Sequence, residues 1–194
     1  MKGMDLYHAS PTAGLTVLRP SVTEYFGKPR QVCLTALKPM ALLYGIRHFE
    51  YTYGYTKEKK LYYEEYFPGA LEELYRGKSA SLYRCAWREG MAATAIPNEY
   101  VSAAEVAVEE ETAIPDVYEA LLEEERLGSI RLIRWPEVSE KTRRWIVNAE
   151  MEVILESRLL GQDSPRARYM REKYPESWAM ALKEEEERKN ESAE

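Results

Sequence analysis

Short strand-like runs with short helices between them fill the first hundred or so positions, and helical spacing follows. A short apolar run, Asp5-Leu6-Tyr7-His8-Ala9-Ser10, opens the chain as a strand closed by Pro11. Residues 31–35 read as a second strand. It feeds Lys38-Pro39-Met40-Ala41-Leu42-Leu43-Tyr44-Gly45, a short helix with Pro39 in its first turn and Gly45 at its end. Thr35 stands in the N-cap region of that helix. Between the strands, residues 12–28 read as an irregular connection holding Gly14, Pro20 and Gly27. Its length suits a functional segment better than an idle one.

Further on, Phe49, Tyr51, Tyr53 and Tyr55 share one face at period two. Lys57-Glu58-Lys59-Lys60 forms a polar tip, and residues 61–67 return as a second aromatic strand, which together predict a hairpin. Residues 68–75 predict a short helix ended by Gly77, and 79–87 a strand carrying Leu82, Tyr83, Cys85 and Trp87. Gly90 marks a turn. Residues 91–96 and 100–108 are strand-like, separated by Pro97-Asn98-Glu99.

The pattern shifts near Glu109. Residues 116–127 predict a helix with Asp116 at its N-cap, Glu119 completing a capping box and Gly128 at its end. A short strand over 130–135 stops at Pro136. A long helix over 139–160 begins at Ser139 and ends at Gly161, with Trp145, Ala149 and Val153 as its apolar stripe. Ser164-Pro165 starts another helix. From Trp178 the chain is helical and highly charged, with four consecutive glutamates from Glu184, and its end is expected to fray. The expected architecture is α+β. Residues 1–110 form a strand-rich core with short helices, and 111–194 a mostly helical C-terminal extension packed on it.

The 194 residues are 45% apolar and 31% charged, enough to bury a sizeable core. A net charge of −6 argues against a nucleic-acid-coating protein. The two cysteines, Cys33 and Cys85, sit in apolar runs without paired spacing, so neither a zinc site nor a disulfide framework is expected. No long apolar core follows Lys2 and no run has the length of a membrane span, so a cytoplasmic protein with no membrane contact is expected. Fifteen tyrosines against three phenylalanines suit half-buried strands, or a surface on which a planar ligand stacks.

Three positions carry candidate chemistry: His8 at the end of the first strand, Tyr44 at the last turn of the first helix, and Glu99 opening a late strand. In their local text and order they resemble the histidine-tyrosine-glutamate pattern of the ADP-ribosyltransferase fold, as in diphtheria-toxin-like and poly(ADP-ribose)-polymerase-like enzymes. Leu6-Tyr7-His8-Ala9-Ser10 looks like that family's strand ending in His-Gly-Ser or His-Gly-Thr. Val32-Cys33-Leu34-Thr35-Ala36 through Tyr44 looks like its second strand and tyrosine-bearing helix. Asn98-Glu99-Tyr100-Val101 looks like its Asn-Glu-Tyr-Ile segment. The matched segments lie between residues 5 and 108. Ala9 departs from the family's glycine.

The resemblance implies a split antiparallel sheet core and NAD as the bound substrate. His8 would bond the adenosine ribose, the Ala9 backbone the nicotinamide amide, and Ser10 and Thr35 would belong to the same cofactor-binding set. Tyr44 would stack on the nicotinamide ring, and Glu99 would be the catalytic carboxylate on the nicotinamide ribose, with no metal. The resemblance leaves the acceptor open. It also leaves open a non-enzymatic module that keeps the fold, with the tyrosine hairpin as its surface, and an NAD-dependent RNA 2′-phosphotransferase-like activity in which Arg19 would matter more. A third reading makes the hairpin with Lys57, Lys59 and Lys60 a single-strand nucleic-acid platform, which the acidic balance disfavours. The C-terminal helices are candidates for covering the sheet, for a homodimer contact or for a partner.

Overall fold

A computed structural model describes residues 3–21, 30–46, 53–159 and 165–191. Of the sequence expectations, those on Gly27, Lys28, His48, Phe49, Tyr51, Leu160, Gly161 and Ser164 lie outside the described residues. The class is α+β with antiparallel sheets, and the chain divides into two compact units. The first is Met1–Tyr63 with Ala70–Leu132, and the second is Glu64–Gly69 with Ile133–Glu194.

The first unit is built on β1 (Asp5–Ser10). The short β2 (Val17–Leu18) and β3 (Val32–Thr35) follow, then helix α1 (Lys38–Tyr44). Next come β4 (Tyr53–Tyr55), β5 (Leu61–Glu64), helix α2 (Ala70–Tyr75) and β6 (Ala80–Ala86). The remaining strands are β7 (Ala92–Ala93), β8 (Glu99–Ser102), β9 (Val106–Ala107) and β10 (Glu110–Ile114). Helix α3 (Val117–Arg126) and β11 (Ile130–Ile133) complete the run. The first unit thus continues beyond residue 110 through β10 and α3.

The main sheet has six strands in the order β10-β6-β1-β3-β8-β7. β1 pairs with β6 along its whole length, from Asp5↔Ala86 to Ser10↔Ser81. On its other side it meets β3 at Tyr7↔Thr35. β3 continues the sheet into β8 through four residue pairs, from Val32↔Ser102 to Thr35↔Glu99. Both faces of β1 and β6 carry buried residues. On one face Leu6, Tyr83 and Cys85 pack with Leu34 and with Leu18 and Val106 of the small β2–β9 ribbon. On the other, Ala9 and Leu82 pack against Ala41 of α1.

Beyond α1 lies the larger core. Met40, Leu42 and Leu43 meet Leu61, Tyr63, Leu71, Tyr75, Val117, Leu121, Ile130 and Leu132. The Tyr75 hydroxyl donates to the Leu43 carbonyl at 3.2 Å, so a tyrosine serves as a core residue without an orphaned polar group. In the second sheet, ordered β11-β5-β4, Gly54 faces Tyr62 across the ladder. A Cβ on Gly54 would stand 2.5 Å from the Tyr62 hydroxyl, so glycine here makes room for the ring that lies across its strand.

The second unit is helical. A short 3-10 turn, Trp135–Glu137, precedes α4 (Glu140–Leu159), α5 (Pro165–Lys173) and α6 (Pro175–Glu191). Ile154, Ala181, Met170, Tyr174 and Phe67 are buried within it. No helix among the described residues is long and apolar enough to cross a membrane.

Three expectations need correction. The connection over 12–28 contains β2, paired to Val106 and Ala107, and a bridge between Ser21 and Gln31. The strand expected over 100–108 is two strands in different sheets. They part where Ser102 folds its hydroxyl onto Ala104, accepting from its N–H at 3.2 Å and donating to its carbonyl at 2.8 Å. On α4 the buried stripe is Ile146, Glu150 and Ile154, one position on from the expected one, and Trp145 is exposed. Glu150 disguised that stripe, because a carboxylate reads as polar in any hydropathy pattern.

The Asp116 cap forms as expected. Its carboxylate accepts from Tyr118 N at 2.9 Å and Glu119 N at 3.3 Å, and its second oxygen accepts from Gly77 N at 2.9 Å. Asp116→Ala is therefore expected to lower the unfolding free energy by about 1 kcal/mol, and Asp116→Asn to retain most of it, measured by urea denaturation followed by circular dichroism.

Candidate functional site

The site grows from the middle of the main sheet. Tyr7 faces Thr35, and Thr35 faces Glu99, on three adjacent strands. Residues opposite one another in antiparallel strands project to the same face. The three therefore form one row across about 10 Å, two strand intervals. Lys38 lies over the Tyr7 ring, 5.5 Å from its centroid, at the beginning of that row.

His8 alternates to the other face of β1. Its Nδ1 lies 2.9 Å from the Cys33 carbonyl of β3. A carbonyl only accepts, so Nδ1 carries the hydrogen and Nε2 of the neutral ring is an acceptor. Burial holds the His8 pKa below its ordinary 6.5, against an upward pull from the Cys33 bond, so the ring is neutral near pH 7. Among the described residues Nε2 has no partner.

The second component is the end of α1. Thr35 accepts from Leu37 N at 3.1 Å and donates to Met40 Sδ at 3.3 Å, which turns the chain from strand into helix. Thr35 is thus a side-chain brace two residues ahead of the actual N-cap, Leu37, which makes no capping bond of its own. Met40 to Leu43 are buried, Tyr44 is 37% exposed and Gly45 is buried again. A Cβ built on Gly45 would lie 2.9 Å from the Ala9 Cβ, closer than two such carbons pack. The helix end therefore rests directly on the strand end. Tyr44 donates its hydroxyl hydrogen to the Tyr53 hydroxyl. The two rings meet edge to face, 5.6 Å between centroids at 80°.

The third component is the turn that delivers Glu99. Thr94 N donates to the Glu99 carbonyl at 3.0 Å, and Glu99 N to the Ile96 carbonyl at 3.2 Å. Asn98 takes the left-handed conformation at φ 63°, which its short polar side chain tolerates. Ala36 N donates to the Asn98 carbonyl at 2.9 Å, and the Tyr55 hydroxyl to the Pro97 carbonyl at 2.7 Å. The Thr94 hydroxyl donates to Glu99 Oε2 at 2.6 Å. Glu99 is felt by both hairpin tyrosines. Burial raises the Tyr53 pKa above 10.0, the bond from Tyr44 lowers it, and the Glu99 charge raises it again. For Tyr55, burial raises it, an Asn98 bond lowers it and the Glu99 charge raises it.

These links close a circuit from Ala9 to Gly45 and Tyr44, on to Tyr53 of β4, through Tyr55 of the same strand to the Pro97 carbonyl in the turn that carries Glu99, and back through Thr35 to Tyr7. Ala9, Thr35, Tyr44 and Glu99 are thereby joined. His8 adjoins the circuit through the backbone and turns its ring toward Cys33. Ser10 accepts from Thr12 N at 3.1 Å and shapes the loop that follows β1. That loop is tied down by the Tyr83 hydroxyl, which donates to the Thr12 carbonyl at 2.6 Å, and by Glu111, which accepts from Gly14 N at 3.0 Å and 3.1 Å. Arg19 lies outside, paired at 3.2 Å with Glu105 in an exposed ion pair. Among the described residues no group of three or more His, Cys, Asp or Glu side chains could hold a metal ion.

Sequence reasoning missed Thr94 as the partner of Glu99, Tyr55 as a brace of its turn and Tyr53 as the partner of Tyr44. The two tyrosines do stand in the alternating hairpin pattern, which signals a shared face and not what that face meets. Thr94 has no sequence signal.

The Ala9–Gly45 contact supplies one test. Gly45→Ala is expected to destabilise the fold by about 1–3 kcal/mol through overpacking alone, since Gly45 has an ordinary helical backbone at φ −65°. The Ala9→Gly/Gly45→Ala double variant should be more stable than Gly45→Ala, read by thermal unfolding. His8 supplies another. Because its folded-state pKa lies below 6.5, the unfolded chain takes up the proton first as the pH falls. The stability contributed by neutral His8 is complete above about pH 6.5 and is lost as the pH drops through the folded-state value. His8→Asn, which keeps a donor toward Cys33, should flatten that part of the stability–pH curve.

Comparison with known proteins gives no match: no family model, no curated protein and no solved structure aligns with the chain.

Proposed function

We propose that the first unit is an NAD-binding, ADP-ribosyltransferase-like domain that releases nicotinamide from NAD and passes ADP-ribose to an acceptor. The observation that carries this reading is the circuit linking the end of β1, the tyrosine at the end of α1 and the Glu99 carboxylate. Three stretches far apart in sequence are joined in that circuit, and the His8 ring stands beside it on the other face of β1.

In this reading the neutral His8 ring offers Nε2 to a hydroxyl of the adenosine ribose. The backbone of Ala9 holds the nicotinamide amide, with Ser10 and Thr35 shaping the two sides of that strand end. Tyr44 supplies an aromatic face for the nicotinamide ring. Glu99 accepts the 2′-hydroxyl of the nicotinamide ribose. As the glycosidic C–N bond breaks, its electron pair neutralises the pyridinium nitrogen and nicotinamide departs. The ribose carbon becomes oxocarbenium-like, and a fixed carboxylate beside it stabilises that developing charge. The acceptor then bonds to the carbon, and its proton passes to the carboxylate or to solvent.

The Tyr44–Tyr53 contact supports a second reading, an interaction module that keeps the fold with its aromatic face already occupied. The Arg19–Glu105 pair speaks against Arg19 as a ready phosphate ligand for an RNA 2′-phosphate acceptor.

NAD titration by calorimetry, together with nicotinamide release, separates these readings. Wild type is expected to bind NAD and release nicotinamide. Glu99→Ala should bind within a few-fold and turn over about 10²–10³-fold more slowly. Tyr44→Ala should weaken binding by about tenfold. No binding by wild type removes the proposal, and binding without turnover favours the module.

A further inference from the structure

We infer that Thr94 is a positioning residue for Glu99: its hydroxyl engages one carboxylate oxygen and leaves the other aimed at the substrate. This inference rests on the transferase reading of Glu99.

The Thr94 hydroxyl has one hydrogen and two acceptors in reach, Glu99 Oε2 at 2.6 Å and the Ile96 carbonyl at 3.4 Å. The shorter contact is the bond, and the longer lies at the limit of hydrogen-bond geometry. The same oxygen accepts from Ile96 N at 3.0 Å, so the hydroxyl is fixed from the backbone side before it reaches the carboxylate. Thr94 N in turn donates to the Glu99 carbonyl at 3.0 Å. Thr94 and Glu99 therefore clasp each other twice, once through the backbone and once through side chains, across a turn of six residues numbered 94–99.

Among the described residues, Thr94 is the hydrogen-bond donor to the Glu99 carboxylate, and Oε1 has no partner. A free carboxylate rotates its two oxygens through equivalent positions. A carboxylate with Oε2 held presents Oε1 in one direction only. Holding the ribose hydroxyl in a reactive geometry needs that orientation, and small misplacements of a reacting group cost large factors in rate. The braces from Tyr55 at Pro97 and from Ala36 at Asn98 fix the turn to the hairpin and to β3, so the clasp acts from a rigid base.

A hydroxyl that only shaped the turn would affect folding, or binding and turnover together. A positioning hydroxyl acts on turnover. The test is steady-state nicotinamide release from NAD by wild type, Glu99→Gln, Thr94→Val, Thr94→Ser and Thr94→Val/Glu99→Gln, with the melting temperature of each recorded. Thr94→Val, which keeps the branched shape without the hydroxyl, is expected to lower kcat about tenfold with KM within about twofold. Thr94→Ser should return kcat to within about threefold of wild type, and Thr94→Val should add nothing to Glu99→Gln. Wild-type kcat retained in Thr94→Val, a change in KM alone, or additivity with Glu99→Gln overturns the role of Thr94 while leaving the transferase reading intact. Wild type no faster than Glu99→Gln overturns the transferase reading, and this role with it. If Thr94→Val fails to fold, an inactive but folded Thr94→Ser overturns the inference and an active one supports it.

Discussion

One cross-strand row, Tyr7–Thr35–Glu99, sets the distance between the first strand and the late carboxylate. It depends on β3, four residues long, which joins β1 at one residue pair and β8 at four. A one-residue slip of β8 against β3 would turn Glu99 to the opposite face and bring Asn98 or Tyr100 into the row. Leu34 and Val32 guard against that slip. Both are buried with Tyr100 packed against them on the far face, so the apolar packing of one face fixes the chemistry of the other.

The remaining elements bring further groups to the row and hold them there. The end of α1 is set by Gly45 lying against Ala9, and its start by Thr35 bonding Leu37 and Met40. The hairpin reaches the same place from the second sheet, with Tyr53 against Tyr44 and Tyr55 on the Pro97 carbonyl. The loop after β1 is anchored in the opposite direction, by Tyr83 and Glu111 from β6 and β10. Hydrogen bonds from Ser81 first, and from Gly14 next, hold the Glu111 carboxyl below its ordinary pKa, which keeps that anchor charged. Tyrosine is used repeatedly because its ring packs while its hydroxyl reaches a carbonyl, a sulfur or another hydroxyl.

What the sequence revealed was local. β1, β3, α1 and the Asp116 cap are short-range patterns, and each stands close to where its residues predict. What it concealed depended on register and on long-range partners. Residues 100–108 look like one strand because the Ser102 turn that divides them costs one hydroxyl and no glycine or proline. The buried face of α4 was displaced by one position because Glu150 interrupts its apolar text. Tyr53 and Tyr55 were visible as a face, but the bond from Tyr55 to the Pro97 carbonyl depends on how two sheets approach. Thr94 could not be singled out, since a threonine two residues before Ile96 has no pattern until the turn is closed.

Ala9 is where the resemblance is weakest in sequence, because those enzymes have glycine there. Position 9 lies inside β1, paired with Leu82, so its backbone is extended and does not require the freedom of glycine. What glycine would save is the volume of one methyl group, and this chain saves it elsewhere. The residue facing Ala9 at the end of α1 is Gly45, whose own Cβ would collide with the Ala9 methyl at 2.9 Å. The contact between the two elements is therefore as close as a single side-chain carbon permits. Alanine at position 9 is thus accommodated by glycine at position 45, and the two positions cannot both carry a methyl unless the helix end moves off the strand.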